Sequence, residues 1–110
     1  MTITEKEVNG ISVIQIEGKL DINTFDILEN KLNGLLEKGI KKLLVDCTGL
    51  TFISSTGLRI LIMAQKKLSA VGGVIGLFGL NETTRKIFDI TVYDKLFPIF
   101  NDEASAVKEI

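Results

Sequence analysis

The sequence predicts an α/β fold: a mostly parallel central sheet with an antiparallel N-terminal edge strand and helices packed around it. Three observations predict it. Short runs rich in Val, Ile and Leu alternate along the chain with stretches whose apolar residues recur at helical spacing. Asn9-Gly10, a strong hairpin signal, joins the first two runs. The later runs are separated by helical stretches, and strand–helix–strand units pair their strands in parallel through right-handed crossovers.

Taken in order, Thr2 to Val8 reads as an edge strand that turns back into Ile11 to Glu17. That second run is apolar on both faces, Val13 on one and Ile14 and Ile16 on the other, as a buried strand should be. After Leu20-Asp21, residues Phe25, Leu28, Leu32, Leu35 and Leu36 mark an amphipathic helix, with Asn23 as its expected N-cap, Asp26 in the first turn and Gly39 as its stop. Leu43, Leu44 and Val45 are too short a run for a helix and read as a central strand ending at Asp46. Cys47 to Ser54 is expected to be a loop. The next helix sets Leu58, Leu61, Ile62, Leu68 and Val71 on one side and Arg59, Lys66 and Lys67 on the other, and ends at Gly72-Gly73. Val74 to Phe78 follows as a strand, Asn81 caps a short helix to about Asp89, and Phe97 to Phe100 forms a short strand after a loop holding Tyr93. Asp102 to Ile110 is a terminal helix. No repeat or low-complexity stretch divides the chain, so residues 1–110 are read as one domain.

Composition narrows the function. A length of 110 residues, 45% hydrophobic and 25% charged, suits one domain with one core. With 13 basic and 14 acidic residues spread along it, the chain carries a formal charge of -1 and has no basic footprint for direct contact with nucleic acid or a membrane surface. Nothing resembles a secretory signal or a spanning helix, and one unpaired cysteine fits a reducing compartment, so a cytoplasmic location is expected. The absence of His removes the commonest general base and, with a single Cys47, the usual metal ligands and nucleophile pairs. No enzyme activity, metal or cofactor is expected. Gly72-Gly73 and Gly76-Leu77-Phe78-Gly79 match no phosphate-binding loop and read as turn and packing glycines. Cys47, following a buried strand with no base to activate it, reads as an inert thiol.

The most informative segment is Phe52-Ile53-Ser54-Ser55-Thr56-Gly57-Leu58-Arg59, where hydroxyl residues and a glycine meet the start of a helix. Unpaired N–H groups and the peptide dipoles favour negative charge there, so a phosphate added to this segment is tolerated by the chain itself. Gly57, lacking a Cβ, is expected to let another molecule approach the backbone. Helix capping is the commoner reason for a serine at such a place, and it accounts for one hydroxyl; it does not account for three followed by a glycine. Asp21 and Asp46, at the ends of two strands, are expected on the same sheet edge, lining one surface with Ser55 or serving as turn caps.

From Asp46 to Leu61 this segment resembles the signature of STAS-domain anti-sigma factor antagonists, and Gly18-Lys19-Leu20-Asp21 resembles the family's Gly-x-Leu-Asp element. The resemblance implies phosphorylation at the serine two places before the glycine, which is Ser55, ahead of Ser54 and Thr56. The family's preceding Asp is Ser54 here. It further implies a partner that is both anti-sigma factor and serine kinase, bound by the unphosphorylated protein so that sigma factor is released, and lost on phosphorylation. Asp21, Ser54, Ser55, Thr56, Gly57 and Arg59 are then the expected partner-binding residues. The same domain also serves as an accessory or scaffold subunit, in a lipid transporter or a stressosome-like complex, and that reading stays open at this level.

Overall fold

Asn9 (φ 52°) and Gly10 (φ 79°) both adopt the left-handed conformation that a two-residue hairpin turn of type I′ requires. In the computed structural model, which describes residues 1–90 and 95–110, they join β1 (Thr2–Val8) to β2 (Ile11–Leu20) in an antiparallel pair with Val8 opposite Ile11. The expected loop around Tyr93 lies outside the described residues. Strands β3 (Lys42–Ile53), β4 (Val74–Phe78) and β5 (Ile99–Phe100) follow in parallel, giving a sheet of order β1-β2-β3-β4-β5. Helices α1 (Phe25–Glu37), α2 (Ser55–Ala70) and α3 (Glu82–Ile90) connect the parallel strands, and α4 (Glu103–Glu109) ends the chain.

The two-residue alternation of strands divides the core in two. Ile14, Ile16 and Leu20 of β2, Leu43, Val45 and Cys47 of β3, and Ile75 and Leu77 of β4 pack into one cluster with Leu28, Leu32 and Leu35 of α1, Leu58, Leu61 and Leu68 of α2, and Phe88 of α3. Ile11, Val13, Leu44 and Phe78 instead cluster with Ala106 of α4, with Val107 and Ile110 alongside. Both faces of the sheet are covered, which is why its strands read as near-continuous apolar runs.

Several expectations give way. Cys47 to Ser54 is not a loop: β3 runs on to Ile53, because β2 also runs on to Leu20 and supplies hydrogen-bonding partners up to the pair Leu20–Ile53. Thr48-Gly49 and Thr51 read as turn chemistry, yet Gly49 is a packing glycine, since a Cβ there would lie 2.7 Å from Cγ of Glu17. At α1 the N-cap is Thr24, not Asn23; the Asn23 N–H is taken by the Asp21 carboxylate (2.9 Å). Val71 is exposed at the C-cap of α2, and Ile60 and Ala64 turn inward instead. Phe97 lies outside β5 and packs edge-to-face on Phe88, ring centroids 5.8 Å apart.

Candidate functional site

β4 pairs with β3 only from Lys42 to Asp46, so the outer half of β3 is paired on one side alone, with β2. This two-stranded ribbon ends at Leu20 and Ile53; β3 leads into α2 through Ser54 alone, and β2 into α1 through the turn 21–24. Ser54 N–H donates to the Leu20 carbonyl (2.9 Å), which fastens the start of α2 to the end of β2. Asp21, next along the chain, is thereby held at the same edge of the sheet, at the C-terminal ends of the parallel strands where open α/β folds place their sites.

The three hydroxyl residues divide their work. Ser54 is extended (φ −91°, ψ 171°), its Oγ accepts from Gly57 N–H (3.3 Å), and its carbonyl accepts from Leu58 N–H (2.9 Å), so it caps the helix. Ser55 is the first helical residue and is exposed, and its hydroxyl makes no hydrogen bond to the described residues. Thr56 is half-buried. The first turns of α1, α3 and α4 contain Asp26, Glu82 and Glu103, whereas that of α2 contains no acidic residue. Its positive end is therefore not answered from within its own first turn.

Gly57 corrects an expectation. It is buried, and a Cβ there would fall 2.5 Å from Cγ and 2.9 Å from the carbonyl oxygen of Leu20. The space its missing side chain leaves is filled by this chain and does not admit a visitor; glycine is required so that α2 can start against β2.

Residues 2–106 match the family model of the STAS domain. The chain belongs to the STAS family. Among its relatives, the anti-sigma-B factor antagonist of Bacillus subtilis is 31% identical over 71% of this chain and 71% of its own. The crystal structure of an anti-sigma factor antagonist from Mycobacterium paratuberculosis superposes with a TM-score of 0.89 at 27% identity, covering 97% of this chain and 91% of that one. The Bacillus cell fate determinant SpoIIAA, in its phosphorylated form, shares the fold with a TM-score of 0.76 at 21% identity, over 97% of each chain.

The remaining candidate residues of this STAS domain part company. Asp21 Oδ1 accepts from Asn23 N–H (2.9 Å) and from the Thr24 hydroxyl (3.3 Å), so it shapes the turn into α1 while staying half-buried at the site edge. Arg59 is exposed, one helical turn beyond Ser55, and forms no ion pair with the described residues. Asp46 does not join them. It lies in mid-strand, with the parity of Leu44 on the α4 side of the sheet, and its Oδ1 accepts from Thr48 N–H (3.0 Å) and Oγ1 (2.7 Å). Continuation of β3 past it removes it from the site edge. Cys47 is fully buried, and desolvation first and the neighbouring Asp46 charge second push its thiol up to about 12, so it stays protonated.

Two exposed apolar residues at the site edge are not among the partner-binding residues expected from the sequence. Ile22, 65% exposed, sits in the turn before α1, and Phe52, 44% exposed, sits near the end of β3. A strand register through 47–53 would have exposed the signal, since alternation turns Phe52 outward when Ile53 turns in. Among the described residues there is no cluster fit to hold a metal and no helix long and apolar enough to cross a membrane.

Proposed function

We propose that the chain is an anti-sigma factor antagonist controlled by phosphorylation of Ser55. One observation carries the reading: Ser54 takes the capping role, which leaves the exposed Ser55 hydroxyl uncommitted at a helix start that bears no carboxylate of its own. Proteins named as anti-sigma factor antagonists match along most of this chain, and SpoIIAA, of the same fold, exists in a phosphorylated form.

In this reading the partner is an anti-sigma factor with serine kinase activity, met in the cytoplasm. The unmodified protein docks through the surface around Ser55, with Ile22 and Phe52 as apolar anchors and Asp21, Ser54, Thr56 and Arg59 around them, and sigma factor is released. The kinase transfers the γ-phosphoryl group of ATP to Ser55 Oγ; the P–O bond to ADP breaks, the new Oγ–P bond forms, and the hydroxyl proton is given up. The phosphoserine adds roughly -1.5 to -2 charges. The domain accommodates them at the start of α2, but the docked partner must either desolvate or repel them and so dissociates. The protein binds and is modified; it performs no chemistry itself.

Incubation with ATP and the anti-sigma kinase, followed by mass spectrometry, tests the assignment. Phosphate is expected on Ser55 and on no other residue, and Ser55→Ala should bind the kinase constitutively. Full modification of Ser55→Ala at Ser54 or Thr56 overturns the site.

A further inference from the structure

We propose that Asn81 is a positioning residue for the phospho-acceptor segment, acting by holding the otherwise unpaired edge of β3; the proposal rests on Ser55 being the acceptor. The outer half of β3 lacks a neighbouring strand on the β4 side, because β4 ends at Phe78, opposite Asp46. Leu50 lies in that half and is buried (1% exposed), so its backbone carbonyl requires a donor. Asn81 supplies it: Nδ2 donates to the Leu50 carbonyl at 3.2 Å. The other end of the same carboxamide accepts from Thr84 N–H (2.8 Å) and the Thr84 hydroxyl (2.9 Å), which starts α3. Thr84 is itself fully buried.

Both ends of the carboxamide are thus committed in opposite senses, one as donor and one as acceptor, and a rotation of the group loses both contacts. The approach is set by Gly79 (φ 75°), where a Cβ would lie 2.4 Å from Cγ2 of Thr48; the chain turns there hard against β3 and brings Asn81 to Leu50. Ser54 lies four steps along the chain from Leu50, a span of roughly 13 Å in a strand. Asn81 therefore steadies the ribbon that ends in the Ser54 cap without belonging to the surface around Ser55.

Asn81→Asp tests this cleanly, since it keeps an acceptor for Thr84 N–H and replaces the donor to Leu50 with an oxygen. Asn81→Ser serves as the uncharged counterpart, with a cap oxygen but no reach to Leu50. In both, amide hydrogen exchange of Ser54 and Gly57, whose N–H groups bond the Leu20 carbonyl and the Ser54 hydroxyl, should accelerate at least tenfold, while Val45 and Leu77, within the full sheet, stay as protected as in the parent. With the anti-sigma kinase, KM for Ser55 phosphorylation should rise at least fivefold and kcat stay within twofold. Unchanged exchange at Ser54 and Gly57, acceleration that includes Val45 and Leu77, or local acceleration with an unchanged KM or an altered kcat each overturns the proposal. If the parent protein takes no phosphate on Ser55, the acceptor assignment has failed, and the exchange data still decide whether Asn81 holds β3.

Discussion

Helices α2 and α4 open with the same hydrogen bond made by different chemistry. In α4 the Asp102 carboxylate accepts from Ser105 N–H (2.8 Å) and Glu103 follows in the first turn. In α2 a neutral serine accepts from Gly57 N–H (3.3 Å) and no acid follows. The bond to the Ser105 backbone, and then that to its side chain, hold Asp102 below the usual carboxylate range. The start of α4 is already neutralised by its own residues; that of α2 satisfies its hydrogen bond without bringing a charge. A helix capped this way brings no carboxylate of its own, and under the proposed function it keeps its electrostatic capacity for a phosphate on Ser55.

The largest expected effect falls on the partner equilibrium. Ser55→Asp, or phosphorylated Ser55, should weaken kinase binding about 100-fold relative to Ser55→Ala, about 2.7 kcal/mol, measured by calorimetry. Equal affinities would break the contrast between the two helix starts. Next comes the backbone contact beneath α2: Gly57→Ala places a methyl against Leu20 and should lower the free energy of unfolding by about 1–3 kcal/mol in urea denaturation. Ser54→Ala, which removes the cap, should cost about 1 kcal/mol in the same assay, and Ser54→Asp should restore it by giving α2 the chemistry of α4.

The smallest effect separates the helices by pH. Asp102 is depressed in the folded chain, so its contribution is present above its unfolded pKa, roughly 4, and is lost as pH falls through the lower folded value. Glu5, lowered chiefly by its hydrogen bond from Lys31, adds to the same acid limb. Asp102→Asn should therefore flatten the stability curve below about pH 4, read from thermal midpoints, whereas Ser54→Ala should shift the curve down without changing its slope.

Much of the fold was legible because it depends on local periodicity. The hairpin at Asn9-Gly10, the apolar faces of α1 and α2, and the alternation of strands and helices all follow from spacing. Strand β3 was legible only up to Asp46, because Thr48-Gly49 and Thr51 carry turn chemistry and the strand that pairs with them, β2, lies about thirty residues earlier, a long-range pairing no local window contains. The same lack of long-range information puts Asp46 at the site edge in the sequence, and Asn23 looks like a cap there because residue type alone does not show that Asp21 claims its N–H.

The site divides in the same way. Residue order alone set hydroxyls, a glycine and an arginine at the start of a helix, since capping preferences and helical spacing act over a few neighbours. Which hydroxyl caps and which stays open, that Gly57 yields to Leu20 and not to a partner, and that Asn81 reaches the Leu50 carbonyl were decided by tertiary packing. Each depends on how closely two distant backbones approach, and that distance is fixed only when the sheet has formed.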